Sequence, residues 1–108
     1  MTIEELQQEA HRIAVSKGWW DNPRDILAQL MLMVTELAEA AEECRVTEDV
    51  AGWGFVNGKP EGFAIDLADC LIRIGDTAQA YGIDLAEAVK VKMAYNETCP
   101  YRHGGKLA

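Results

Sequence analysis

Five carboxylates at helical spacing are the residues of this chain best suited to chemistry. Glu36 and Glu39 lie three residues apart, Glu43 continues the same line, and Asp66 and Asp69 repeat the three-residue spacing. Residues three or four apart share one face of a helix, so two such pairs on neighbouring helices would surround one point with four carboxylates. Their mutual repulsion favours a cation between them. Ligands that are all oxygen favour Mg²⁺ or Mn²⁺ over Zn²⁺.

The alternative interpretation of this pattern is a solvated acidic face without an ion, which is what most charged helix stripes are. Leu32 lies in line with Glu36 and Glu39, so the acidic strip runs into apolar surface at one end. Apolar rows also flank Asp66 and Asp69. Carboxylates beside apolar surface need partners or a metal. The spacing alone leaves both interpretations open.

Four helices are predicted to position these side chains. Their approximate bounds are residues 3–17, residues 23–45, residues 63–81, and residue 85 to shortly before Pro100. Asn22 is expected to cap the second helix, with Pro23 at its first helical position. Strand signals are nearly absent. Residues 46–62 hold four glycines and Pro60, and they are therefore predicted to form a loop.

Apolar rows along the helices predict how they pack. The inner row of the second helix is expected to be Ile26, Leu30, Met33, Val34, Leu37 and Ala41, and that of the fourth helix Leu85, Val89 and Met93. The third helix is apolar on two sides, which is typical of a central helix. Short connections then favour an all-α fold, an antiparallel four-helix bundle in a single domain over residues 1–108. So much apolar surface on so short a chain also predicts an oligomer.

Composition excludes several classes of function. The chain has 108 residues, 49% of them hydrophobic, with 18 acidic and 10 basic residues and a net charge of -8. This charge argues against a nucleic-acid binder and against a polybasic membrane-surface protein. No apolar run approaches about 20 residues, and the first ten residues are acidic and polar, so we expect neither a membrane span nor a signal peptide. An odd number of cysteines without a C-x-x-C pair predicts a reducing, cytoplasmic setting.

The two carboxylate pairs also resemble a known signature. Glu36-Leu-Ala-Glu39 followed by Asp66-Leu-Ala-Asp69 is similar to the E-x-x-E … E-x-x-D signature of the MazG-like nucleotide pyrophosphohydrolases. The similarity extends over most of the chain through four further segments, Lys17-Gly-Trp-Trp-Asp21, Lys59-Pro-Glu-Gly62, Tyr95-Asn96 and Pro100-Tyr-Arg-His-Gly-Gly-Lys106. One position departs from the family, which usually has glutamate where this chain has Asp66.

The resemblance implies a fold and an activity. The fold would be the four-helix bundle of the all-α nucleoside triphosphate pyrophosphatases, assembled as a homodimer or homotetramer. The reaction would hydrolyse a nucleoside triphosphate to the monophosphate and pyrophosphate, in a house-cleaning role for the nucleotide pool. Magnesium, with manganese as a substitute, would be held by Glu36, Glu39, Asp66 and Asp69. Glu39 would orient or deprotonate the attacking water.

Candidate substrate contacts lie elsewhere in the chain. They are Trp19, Lys92, Asn96, Arg102, His103 and Lys106. Trp19 would stack on the base, and Trp20 is expected to be packed. The remaining candidates lie on the fourth helix or in a glycine-containing tail. The alternatives to a binding role are an ordinary helix end for the former and a frayed tail for the latter. Arg73 is interpreted as a structural ion-pair partner.

Two other functions remain open at this point. One is a helical interaction module with weak or no catalytic activity. In this alternative the metal site is vestigial, because Asp66 is one methylene shorter than glutamate. Hydrolysis of phosphoribosyl-ATP in histidine synthesis is the other alternative. The tryptophan pair and the C-terminal segment resemble the MazG-like branch more closely, so it ranks lower.

Overall fold

The chain is mostly helical, with one small sheet, in a computed structural model that describes all 108 residues. The elements in chain order are α1 (Ile3–Ser16), α2 (Ile26–Val46), β1 (Gly54–Val56), β2 (Lys59–Glu61), α3 (Phe63–Ala80), α4 (Leu85–Thr98) and α5 (Arg102–Gly105). A capping box starts α1: the Thr2 hydroxyl accepts from the Glu5 N–H, and the Glu5 carboxylate accepts from the Thr2 N–H. Asp84 caps α4 by accepting from the Glu87 N–H. No helix is both long and apolar enough to cross a bilayer.

The predicted start of α2 was wrong. The helix begins at Ile26 and its N-cap is Asp25, whose carboxylate accepts a hydrogen bond from the Leu27 N–H. Asn22 and Pro23 lie outside the helix. Aspartate caps as well as asparagine does, and Asp25 directly precedes the apolar residues of the helix. Two equivalent caps three residues apart therefore made the sequence signal ambiguous.

A two-stranded antiparallel hairpin lies within the segment predicted to be a loop. Asn57 and Gly58 form its turn, with φ angles of 52° and 79°. A two-residue turn with positive φ at both positions is a type I′ turn, for which Asn-Gly is a strongly preferred pair. The prediction of a loop over residues 46–62 was therefore wrong at the two strands, and this dipeptide was the signal that would have corrected it.

Gly62 joins the hairpin to α3 in a conformation that only glycine adopts readily. Its φ is 134°, and a Cβ atom there would lie 2.8 Å from the Gly52 carbonyl oxygen and 3.0 Å from the Trp53 Cα. Its own carbonyl accepts the Asp66 N–H at 3.0 Å. At the base of the hairpin, Gly62 therefore packs closely against Gly52 and Trp53, which precede β1. It is also hydrogen-bonded to the first turn of α3.

Replacing Gly62 by alanine is expected to lower the free energy of unfolding by about 2 kcal/mol, because the added methyl meets backbone atoms and the φ angle is strained. Gly54→Ala is the matched control, since nothing lies within 4 Å of a Cβ at that position. Urea unfolding of both variants measures the difference. Equal stability of the two variants would contradict a closed hairpin base.

The helices pack around α3, which contacts both α1 and α2. This confirms the central position predicted for the third helix. In contrast, α4 contacts α1 and has no buried residue. Of its predicted inner row, Leu85 and Val89 are half-buried and Met93 is exposed. The radius of gyration is 16.4 Å, whereas about 13 Å is typical of a compact domain of this length. The chain is therefore open, and the closed four-helix bundle stays a prediction.

The predicted inner face of α2 lies largely outside. Its buried residues are Gln29, Glu36 and Ala40. Four members of the predicted apolar row, Ile26, Leu30, Val34 and Leu37, are between 38% and 51% exposed. No large side chain in the chain is fully buried. The face of α2 that bears Glu36 packs against α3, because the Glu36 carboxylate pairs there with Arg73. The apolar face of α2 is therefore left partly exposed in a single chain.

Candidate functional site

Carboxylates line a cleft of about 480 Å³ formed by α2, the hairpin and the start of α3. We call this the acidic cleft. Its carboxylates are Glu39, Glu42, Glu43, Glu61, Asp66 and Asp69. Lys59 is the only basic side chain among its lining residues. The local electrostatic potential therefore favours a cation in the cleft.

Asp66 is the most constrained of these carboxylates. The residue is 9% exposed, and its Oδ2 atom is buried without a hydrogen-bond partner. Burial raises the pKa of Asp66 above its ordinary value, and the nearby charges of Glu43 and Glu36 raise it further. A buried carboxylate oxygen without a donor is costly, so a proton, a hydrogen-bond donor or a cation at this atom would stabilise the fold.

Asp69 lies one turn further along α3 and shares this environment. Burial raises the pKa of Asp69, and the charges of Glu36 and Asp66 add to the increase. Arg73 and Lys59 act in the opposite direction. A cation bound between these two neighbouring carboxylates would reduce their mutual repulsion.

A second cavity, of about 590 Å³, adjoins the acidic cleft. We call it the apolar cavity, because its lining includes Ile13, Trp19, Leu32 and Ile72 together with the basic residues Arg24 and Arg73. Asp69 lines both spaces. A ligand that spans them would place one end among apolar and aromatic side chains and the other among carboxylates.

The four predicted metal ligands do not share one cavity. Glu39, Asp66 and Asp69 line the acidic cleft, and Glu36 lines the apolar cavity, where Asp69 is also present. The Glu36 Oε1 atom accepts a hydrogen bond from the Arg73 Nε at 2.7 Å, which makes Arg73 the ion-pair partner that was predicted. No group of three or more His, Cys, Asp or Glu side chains is arranged to hold a metal ion.

Only one of the six predicted substrate contacts lies at these cavities. Trp19 lines the apolar cavity, and the Arg24 guanidinium lies 5.7 Å from the centroid of its ring. The other five are exposed and line neither space; they are Lys92, Asn96, Arg102, His103 and Lys106. Within a single chain, α4 and the tail therefore do not bring their polar side chains to the site.

One cluster beside the apolar cavity was not predicted as a unit. The Asp76 Oδ1 atom accepts from the Trp20 Nε1 at 2.9 Å and lies 2.8 Å from the His11 Nδ1. Asp76 is buried and lines the apolar cavity. Trp20 is half-buried, in agreement with its predicted packed role. No spacing in the sequence could have joined His11 to Asp76, because they are 65 residues apart and meet only through the packing of α1 on α3.

Comparisons of the chain with protein-family models, with curated proteins and with solved structures found no match. The resemblance to the MazG-like enzymes therefore stays a prediction.

Proposed function

We propose that this protein is a magnesium-dependent nucleoside triphosphate pyrophosphohydrolase that releases the nucleoside monophosphate and pyrophosphate. The observation that carries the proposal is the adjoining pair of spaces, one apolar and one acidic, which share Asp69. A nucleotide has the matching division, with a flat base at one end and a polyphosphate at the other. A polyanion enters a cleft lined by carboxylates only with a cation.

The chemistry of the donors in the acidic cleft supports magnesium, although no three of them are gathered in ligating positions. The donors are carboxylate oxygens, and the buried Asp66 Oδ2 has no hydrogen-bond partner. Glu39, Asp66 and Asp69 would hold the ion. Glu36, which is paired with Arg73, would also contribute to binding the ion. When bound, Mg²⁺ would neutralise charge on phosphate oxygens.

The side chains of the chain itself would bind the substrate and handle the proton. Trp19 and the apolar residues around it would hold the base, since aromatic faces stack on bases. Glu39 is exposed in the cleft. It would accept a proton from a water molecule while the oxygen of that water bonds to the α-phosphorus. The bond between the α- and β-phosphates breaks, and pyrophosphate leaves.

The direct test is incubation with a panel of ribo- and deoxynucleoside triphosphates in magnesium, with an assay for pyrophosphate. We expect release from at least one nucleotide, its loss in EDTA, and partial recovery with manganese. No pyrophosphate from any nucleotide in the panel would contradict the proposal.

A non-enzymatic helical interaction module is the second candidate, and one observation favours it. No three potential ligands are gathered in the structure, and Asp66 reaches less far than the glutamate of the resembled family. A vestigial site predicts no change of thermal stability on adding magnesium. A formed site predicts a rise, because a ligand that binds only the folded state stabilises it.

The biological role we propose is removal of non-standard or excess nucleotides in the cytoplasm. All three cysteines are free, which supports a reducing compartment. The net charge of -8 argues against a nucleic-acid partner.

We also propose that the chain assembles as a homodimer or homotetramer through the apolar face of α2. Apolar side chains on both helices are about half exposed, among them Leu30 and Val34 on α2 and Leu67 and Leu71 on α3. Exposed apolar surface on a small domain is typical of an interaction site when it forms a large patch. The large radius of gyration of a single chain, 16.4 Å, also supports assembly.

Val34→Glu is expected to convert the assembly to a monomer, because it places a charge in the centre of the apolar face. Light scattering coupled to gel filtration measures the mass against 11.9 kDa for one chain. Val91→Glu, on the exposed side of α4, is the control and should keep the wild-type mass. A wild-type mass equal to one chain would refute the assembly.

A further inference from the structure

Lys59 occupies a singular position in the acidic cleft. It faces six carboxylates and is the only basic side chain that lines the space. Its backbone is fixed on both sides, because it pairs with Val56 next to the type I′ turn and is followed closely by the Gly62 junction. The hairpin therefore holds one lysine at the wall of the cleft.

This lysine is not bonded to the carboxylates that most need a partner. Its only ion pair is with Glu61, two residues along the same strand, at 3.6 Å from Nζ to Oε1. Charge-assisted hydrogen bonds are typically about 2.7–2.9 Å. The Lys59 charge lowers the pKa of both Asp66 and Asp69, so it lies within electrostatic range of each. The Asp66 Oδ2 atom nevertheless has no partner.

A lysine that served as a structural counter-ion would be expected to form a short bond to one of these buried carboxylates. Lys59 instead remains 76% exposed in its side chain and loosely paired. Its flexible four-carbon stem and compact charge suit an ammonium group that moves to an incoming anion. Leaving Glu61 costs little, because exposed pairs contribute at most about 1 kcal/mol.

No other cation lines the acidic cleft; Lys17, Arg24 and Arg73 line the apolar cavity instead. Arg73 is held by Glu36 at 2.7 Å. The Arg24 guanidinium lies 5.2 Å from the centroid of the Trp20 ring and close to Trp19 as well. The basic residues of α4 and the tail line neither cavity. Lys59 is thus the one cation in the acidic cleft that is free to meet a phosphate.

We propose that the Lys59 ammonium group contacts the pyrophosphate portion of a metal-bound substrate in the acidic cleft. This assignment rests on the proposed function and extends it to the residue that recognises the polyphosphate. Lys59 binds and positions the anion that will leave, while the carboxylates opposite it hold the cation. The positive charge of Lys59 also weakens metal binding slightly when no phosphate is present, because it repels the ion.

Calorimetric titration of the full chain with magnesium alone, and then with pyrophosphate in excess magnesium, separates these effects. In Lys59→Gln, magnesium alone should bind as tightly as in the wild type or more tightly. Magnesium pyrophosphate should bind about tenfold more weakly, as expected for loss of one charged contact. Lys59→Arg should keep most of the affinity. Lys90→Gln, an exposed lysine of α4, is the control and should match the wild type.

Three results would overturn the assignment. One is unchanged pyrophosphate affinity in Lys59→Gln, and another is an equal loss in Lys90→Gln. The third is loss of magnesium binding together with pyrophosphate binding, which would mean that Lys59 maintains the shape of the cleft.

Turnover by the wild type distinguishes this inference from the proposed function. A wild type that hydrolyses nucleotides while Lys59→Gln binds pyrophosphate normally refutes only the role of Lys59. A wild type that binds pyrophosphate through Lys59 but hydrolyses no nucleotide refutes only the proposed activity.

Discussion

Glu39→Gln is expected to lower kcat for pyrophosphate release by about 10²- to 10⁴-fold, which is the usual contribution of a general base. The amide has nearly the shape of the carboxylate but cannot accept a proton from water. Glu39 is exposed in the acidic cleft, so the substitution buries no polar group. The fold should therefore be unaffected, and thermal unfolding should remain within the scatter of the wild type.

Glu42→Gln is the matched control for this experiment. Glu42 lines the same cleft on the same helix, and its carboxylate is exposed and paired only with Arg45 at 3.0 Å. Its removal should change kcat by less than about threefold, because an exposed pair contributes little. Steady-state kinetics over a range of magnesium concentrations separates loss of the base from weaker metal binding. A Glu39→Gln enzyme with wild-type kcat would eliminate Glu39 as the base.

Asp66→Asn is expected to stabilise the metal-free protein at neutral pH by about 1 kcal/mol, or roughly 4 °C in Tm. The neutral amide removes a buried charge whose pKa is raised by burial and by Glu43 and Glu36. The same substitution should remove most of the stabilisation by magnesium, which is about 2.7 kcal/mol for a wild-type site at one hundred times its Kd.

The pH dependence of this effect has a definite sign. Where the folded state raises the pKa of a carboxyl group, the folded state binds more protons than the unfolded chain does. The stability contributed by Asp66 is then fully present below its unfolded pKa of about 3.9 and is lost as the pH rises through the folded value. The advantage of Asp66→Asn should therefore vanish near pH 4 and grow toward neutral pH. Asp69, whose pKa is also raised, contributes in the same direction.

Thermal or urea unfolding in EDTA and in magnesium, at several pH values, tests this prediction. Glu42→Gln again serves as the control and should leave both the pH profile and the effect of magnesium intact. The prediction fails if Asp66→Asn destabilises the metal-free protein at neutral pH. It also fails if magnesium stabilises the variant as much as the wild type.

Local signals predicted the helices well, because their causes lie within a few residues of each other. The Thr2–Glu5 capping box and the Asp84 cap each join residues within one helical turn. The Asn57-Gly58 turn is equally local, and its dihedral preference would have been sufficient to predict the hairpin, which the predicted loop over residues 46–62 missed. Only the start of α2 was ambiguous at this level, since Asn22 and Asp25 are comparable caps.

The candidate site was predicted only in part. The three-residue spacings identified Asp66 and Asp69, whose raised pKa values set them apart from ordinary surface carboxylates. The pairing of Glu36 with Arg73 joins residues 37 positions apart. Lys59 enters the cleft through the hairpin that periodicity did not predict.

The sequence by itself determined which side chains share a helix face, because helical periodicity places residues three and four apart together. It did not determine which face of α2 turns inward, since that helix has an apolar face and a face bearing Glu36. Tertiary structure decided this, because Arg73 on α3 pairs with the buried carboxylate while Leu30 and Val34 stay half-exposed. A buried charge requires its partner in place, whereas apolar surface can be covered by another chain.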